Sequence, residues 1–280
     1  MNLIKYACLA ILACLILSCS KEAVISEPAD ETTGLTLVKS FNNNAHTIFL
    51  YTENGKLQTG YNKIYLQIKS ADGKFVSDAV VKWSPVMKMT SMTHACPFST
   101  IKKTINTETL YEGYMVFQMA GNSMENWELT VDYSIGTSNY SAKTTIDVSE
   151  NSKKTVVVFK GTDNVKYVLA FVSPTLPKVA LNDMEVKVYK MQDMMSFPVV
   201  NNFTVKIDPR MPGMGNHGSP NNVNPKQKEI EGSYFGKLSL TMTGYWKINL
   251  QLENESGTIL KGEPISETVE SSSIYFEVEF

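Results

Sequence analysis

The chain repeats itself once, and that repeat limits what it can fold into more than any other feature. At an offset near 120, LTLVKSFNNNAHTIFLYT (35–52) lies over TVVVFKGTDNVKYVLAFV (155–172). YNKIYLQIK (61–69) lies over LNDMEVKVY (181–189), with Asn62 matching Asn182. The offset then drifts to 123, where HACP (94–97) meets HGSP (217–220) and Tyr111, Gly113, Met119 and Gly121 meet Tyr234, Gly236, Met242 and Gly244. A short insertion around NSME in the first copy shifts the rest, so that Trp127 aligns with Trp246 and WELTV with WKINL. Matches at a nearly constant offset that include tryptophan and histidine, both rare here, predict two homologous units, 34–150 and 153–280.

Both copies read as β-structure. Apolar and polar residues alternate in KIYLQIK (63–69), WELTVDY (127–133), MEVKVY (184–189), FTVKID (203–208), KLSLTM (237–242), WKINLQL (246–252) and IYFEVEF (274–280). That is the period of a strand with one buried face. Trp127, Leu129 and Val131 share one parity, as do Trp246, Ile248 and Leu250, and these are the expected inward faces. About 120 residues per copy, with roughly seven short strands, suit an immunoglobulin-like β-sandwich. The expected fold is therefore all-β, two tandem sandwiches, with a closed barrel as the structural rival. Hydrophobic residues at 43% supply an ample core.

The first residues, MNLIKYACLAILACLILSCS, pair a positive Lys5 with an apolar run from Tyr6 to Leu17 that is too short to span a bilayer. The run ends in Ile16-Leu17-Ser18-Cys19, which resembles a bacterial lipobox. The resemblance implies a signal over 1–18, lipidation of Cys19 and anchoring in the membrane by several acyl chains. Residues 19–33, acidic and without aromatics, read as a flexible tether. Ser20-Lys21-Glu22 resembles the export tags of surface-exposed lipoproteins, so the expected location is the cell envelope, at the outer membrane, on either its periplasmic or its surface side. Cys8 and Cys14 leave with the signal and Cys19 carries lipid. Cys96 then has no partner for a disulfide. The formal charge of −2 gives no electrostatic case for nucleic acid.

In both copies strong strand patterns flank a stretch that lacks one. The first reads SPVMKMTSMTHACP (84–97), the second DPRMPGMGNHGSP (208–220), and the irregular segment of the second copy runs from about Asp208 to Gly232. Each has a proline, then methionines, a histidine and a second proline. Long irregular loops in compact domains are commonly functional. Thioether and imidazole together suit copper, Cu(I) in particular. The candidate ligands are Met211, Met214 and His217 in the second copy and Met87, Met89, Met92 and His94 in the first. Cys96, Met242 and Met119 are further soft donors, although the parity of Met242 with Leu240 and of Met119 with Phe117 places both in the core. The competing reading is that these loops cap the sandwich ends with sulfurs turned inward. Methionine is common here, 14 in all, and MQDMM (191–195) carries no histidine. His46, matched by Lys166, is assigned no role.

The run M-x-x-M-x-x-H among Pro and Gly, followed by Met-x-Gly and a Trp-x-(Leu/Ile)-x-(Val/Leu) strand, resembles the YtkA-like domain, a relative of FixH-like proteins. It occurs as MPGMGNH…LSLTMTGYWKINL (211–250) and as MKMTSMTH…MVFQMAGNSMENWELTV (87–131), about half of each repeat. The resemblance implies a small extracytoplasmic Ig-like sandwich associated with copper handling. The first copy departs from it in spacing and in its NSME insertion, which points to a degenerate first site beside a working second one.

The function expected from the sequence is a membrane-anchored, copper-binding or copper-handling lipoprotein that exchanges metal with an envelope protein. The alternative is a lipid-anchored β-sandwich that binds a protein or glycan, its Met/His loops purely structural. No Gly-x-Ser-x-Gly elbow, phosphate loop, zinc-protease motif or dinucleotide fingerprint occurs, so an enzyme is not expected.

Overall fold

The computed structural model describes residues 30–229 and 232–280. The signal, Cys19 and most of the tether lie outside them. Thr32–Phe280 forms one compact unit. Among the described residues the only helical element is a 3-10 turn, Pro212–Met214, and none is long and apolar enough to cross a membrane.

Strands follow the alternating pattern. The first part of the chain contains Thr36–Asn42 (β1), His46–Thr52 (β2), Leu57–Gln58 (β3), Gly60–Ser70 (β4), Val80–Lys88 (β5), Thr93–Ala95 (β6), Lys102–Lys103 (β7), Tyr111–Phe117 (β8), Asn126–Ile135 (β9), Ser138–Ile146 (β10) and Val148–Ser149 (β11). The remainder contains Val156–Lys160 (β12), Lys166–Ser173 (β13), Ala180–Met191 (β14), Thr204–Met211 (β15), His217–Gly218 (β16), Val223–Gln227 (β17), Tyr234–Leu240 (β18), Tyr245–Glu253 (β19), Ile259–Lys261 (β20) and Tyr275–Glu279 (β21).

In the first half, a sheet ordered β1-β2-β4-β8-β7 packs against one ordered β10-β9-β5-β6, and β3 pairs with β11. One core takes side chains from both layers: Ile48, Leu50, Ile64, Leu66 and Ile68 from one, Trp83, Met87, Trp127, Leu129 and Val131 from the other. That is sandwich packing, with the two inner faces buried against each other. In the second half the corresponding layers are continuous, β12-β13-β14-β18-β17-β15-β19-β20, with β16 on β15 and β21 on β19. The join is β17, which pairs with β18 and, through Lys226↔Thr204, with β15. Here the sandwich is drawn toward a barrel. Trp246, Ile248 and Leu250 are buried inside it, as their parity requires.

The two halves make like hydrogen bonds at aligned positions. The Trp127 indole N–H donates to the Met119 carbonyl and that of Trp246 to Met242, each at 3.0 Å. The Asn62 side chain accepts from the Gln58 N–H and donates to the carbonyls of Gln58 and Gly60. Asn182 repeats this with Lys178 and Ala180. Both amides satisfy backbone groups at the start of an equivalent strand, where the ladder cannot.

A third apolar cluster spans the two halves. Val116 packs with Val168, Ala170 and Tyr189, flanked by Tyr61, Tyr114, Phe197 and Val199. The Tyr189 hydroxyl donates to that of Tyr114 at 2.9 Å.

Candidate functional site

The segments expected to be irregular are β-hairpins. In the first, Met87 lies opposite His94 and Lys88 opposite Thr93. In the second, Met211 lies opposite His217 and Arg210 opposite Gly218. The residues after Gly218 are also ordered into β17, so the long structureless loop of 208–232 is corrected to a hairpin and a third short strand. Prolines made these segments read as loops. Pro85 pairs with Leu129 and Pro209 with Ile248, both inside strands. Each sits just before the outer neighbour begins to pair, at Val86 and Arg210, so its missing N–H costs no ladder bond.

The second hairpin turns through Pro212–Met214, closed by Gly215 at φ 64° and Asn216 at φ 57°. Outside it, Arg210 donates to both Asp208 oxygens at 2.7 and 2.9 Å and to the Asn216 carbonyl at 3.4 Å. The bidentate pair lies within β15 and fixes the guanidinium, whose bond to the Asn216 carbonyl ties that arm to the turn. Asn216 also donates to the Glu270 carbonyl, at 3.0 Å.

The candidate ligands divide by depth. Directly opposed residues of an antiparallel pair project from the same face, so each histidine shares a face with its methionine. Met87 is fully buried and Met211 is 6% exposed, both within the cores. The Met211 methyl lies 3.1 Å from where a Cβ on Gly244 would stand. That glycine leaves room for the thioether. Met119, Met242 and Met89 pack as partly buried side chains against the same cores. Cys96 is buried, and burial pushes its thiol well above the usual range, so it stays protonated. At the tips, by contrast, Met92 is 50% and Met214 58% exposed, and His217 is exposed. The three residues Met211, Met214 and His217 are thus brought to one hairpin, but with Met211 facing inward and Met214 outward.

His94 is half-buried at the edge of the core, its ring edge-on to Trp127 with centroids 5.5 Å apart. Its Nδ1 is 2.9 Å from the Ala95 carbonyl oxygen. A carbonyl only accepts, so Nδ1 donates, and in the neutral ring it is Nε2 that holds the lone pair. A backbone carbonyl that fixes the tautomer in this way is the usual support for a metal-binding imidazole.

Two features lay outside the sequence reading. His46 is edge-on to Tyr133 and Tyr140, and its Nδ1 is 3.1 Å from the Tyr133 hydroxyl. MQDMM, set aside for lack of a histidine, lies against the first hairpin, where the Ala95 N–H donates to the Met194 carbonyl at 2.8 Å. A contact between residues so distant in the chain leaves no periodic signal. Between the halves there is also an open cleft of about 780 Å3, lined by Tyr61, Lys63, Glu112, Tyr114 and Glu185 among others. Among the described residues, no three of His, Cys, Asp and Glu are grouped to hold a harder metal ion.

No protein-family model and no curated protein matches the sequence. Three of the solved structures that it matches are distant from it. A DUF4785 family protein from Legionella pneumophila is 12% identical with a TM-score of 0.26, the match covering 77% of this chain and 55% of that one. This chain therefore spans about half the length of that protein. A conserved domain protein from Bacillus anthracis is 9% identical with a TM-score of 0.31, over 90% of this chain and 93% of the other. An endo-fucoidan hydrolase of glycoside hydrolase family 107 is 11% identical with a TM-score of 0.21, over 81% and 38%. What can be stated of class is an all-β protein of sandwich character.

Proposed function

We propose that this is an envelope lipoprotein built of two tandem immunoglobulin-like sandwiches, which binds Cu(I) at its Met/His hairpins and passes it to an envelope protein. The observation that carries the reading is the state of His94. Its Nδ1 proton is committed to the Ala95 carbonyl, and its Nε2 lone pair is left for a ligand at a tip that also bears Met92. A Met–His cross-strand pair in the same register on both hairpins, with His217 exposed, supports a shared role. The donor set fits a soft ion, since it offers neutral nitrogen and sulfur and no grouped carboxylates. Met92 with His94 and Met214 with His217 would hold the metal. Met87 and Met211 frame the sites from the core. The resemblance of both segments to the YtkA-like domain points the same way. The lipobox-like Cys19 would provide the anchor.

Competition of the whole chain in detergent against a chromogenic Cu(I) chelator, without oxygen, tests this. Two equivalents are expected, with His94→Ala and His217→Ala each removing one. Binding no stronger than in the double histidine variant would overturn the reading. A second reading, a lipid-anchored module that binds a protein or glycan, is favoured by the tyrosine-lined cleft between the halves. It predicts a partner whose capture survives loss of both histidines.

A further inference from the structure

We infer that the first hairpin's metal site is composite, the loop after β14 adding thioether sulfur from Met194 and Met195 to His94 and Met92. This rests on the copper reading and says which donors complete one of its two sites.

The loop is placed by two contacts and stiffened by its own hydrogen bonds. β6 is an edge strand, and the Ala95 N–H on its outer side donates to the Met194 carbonyl at 2.8 Å. A bond of that kind sets two chains about 4.8 Å apart, so the neighbours of Ala95 and Met194 come within side-chain reach. The loop is also stiff: the Gln192 N–H donates to the Ser196 carbonyl at 3.0 Å, and the Met195 N–H to an Asp193 carboxylate oxygen at 2.7 Å. Its far end is pinned, because Phe197 and Val199 pack on the cluster that joins the halves.

Packing does not account for these methionines. Met194 is 36% exposed and Met195 49%, and Met92 on the hairpin is half exposed. Leaving apolar side chains in water is unfavourable in proportion to their area. Exposed thioethers on two segments joined at Ala95 and Met194, one residue from His94, offer a soft-metal donor set of nitrogen and sulfur. The second hairpin's corresponding neighbour is the segment 264–272, reached through Asn216 and the Glu270 carbonyl, and that segment carries no methionine, histidine or cysteine. The first site, which the sequence marks as the degenerate one, then has the larger donor set and is the tighter.

The test is Cu(I) competition, with Ag(I) as a redox-silent check, on the whole chain and on a Met194→Leu/Met195→Leu variant whose thermal melting is unchanged. The tighter equivalent is expected to weaken by about 10-fold to 100-fold, the scale on which groups around a metal act. X-ray absorption should show fewer sulfur neighbours per copper, and the His217-dependent equivalent should be unaffected. If the variant binds as the parent does while His94→Ala still removes the tight equivalent, the loop is not a ligand, although the hairpin remains one. Indifference to both His94→Ala and His217→Ala would overturn the copper reading and this inference together.

Discussion

Tyr111 and Tyr234 set their hydroxyls between an amide and a carbonyl three residues apart. Tyr111 accepts from the Ala79 N–H at 2.9 Å and donates to the Val76 carbonyl at 3.5 Å. Tyr234 accepts from the Phe203 N–H at 3.4 Å and donates to the Val200 carbonyl at 2.7 Å. Both rings are buried, so the hydroxyls satisfy backbone groups that water does not reach. Tyr111→Phe and Tyr234→Phe should each cost about 1–3 kcal/mol in urea denaturation. The effects should add in the double variant, because the rings belong to separate cores. Glu263 is another such anchor. The Ser273 backbone N–H, at 2.6 Å, holds its carboxyl below the usual range, outweighing partial burial, with help from the Ser273 and Ser272 hydroxyls and Lys261. A depressed carboxylate stabilises above its unfolded value and loses that contribution as pH falls through its folded value. The stability gap between the parent and Glu263→Gln should therefore be present at neutral pH and shrink below about pH 4.5. The inward parity of Trp127 and Trp246 was legible from alternation alone. The depth of Met87 and Met211 was not, because sulfur serves equally as core filler and as ligand.

At the scale of elements, the long strands declared themselves and the short ones did not. β9, β14 and β19 run for nine residues or more with clear alternation. β6 and β16 have three residues and two, too few to show a period, and their partner strands carry prolines. What orders them is pairing to distant strands, which one-dimensional patterns do not encode. The matched glycines, Gly113 and Gly236, share a position but not a cause. A Cβ on Gly113 would meet the Trp83 ring at 2.5 Å, whereas one on Gly236 would meet the Val223 carbonyl oxygen at 2.3 Å and the Pro225 nitrogen at 2.7 Å. Gly236→Ala must push β17 away from β18, and β17 is what joins the two layers of the second half. A loss of about 1–3 kcal/mol is expected. Gly213→Ala, at the hairpin tip with open space around it, should lie within about 0.5 kcal/mol of the parent. Equal effects in thermal melting would contradict this account. Met87→Leu separates frame from ligand in the same way. It should cost less than about 1.5 kcal/mol as a volume-conserving core change and leave Cu(I) affinity unaltered.

For the molecule as a whole, the contact between its two halves was not legible in the sequence. Each half keeps its own sheets and core, and the cluster around Val116 is small and built from β8, β13 and β14. Its residues sit on the faces of those strands opposite the cores, where single-copy periodicity has no reason to place them. That cluster fixes where the Met191–Met195 loop falls, so docking and the composite metal site are physically linked. Val116→Asp places a carboxylate in the apolar contact, and burying an unpaired charge is costly. The halves should separate while each core persists. Near-ultraviolet circular dichroism should keep the tryptophan signals, and calorimetry should resolve two transitions in place of one. Proteolysis should open the segment between Glu150 and Val156. Because separation withdraws Met194 from Ala95, the His94 equivalent of Cu(I) should weaken as far as in the Met194→Leu/Met195→Leu variant, with the His217 equivalent unchanged. If the halves separate and the affinity of the His94 site does not move, the second half contributes nothing to the metal.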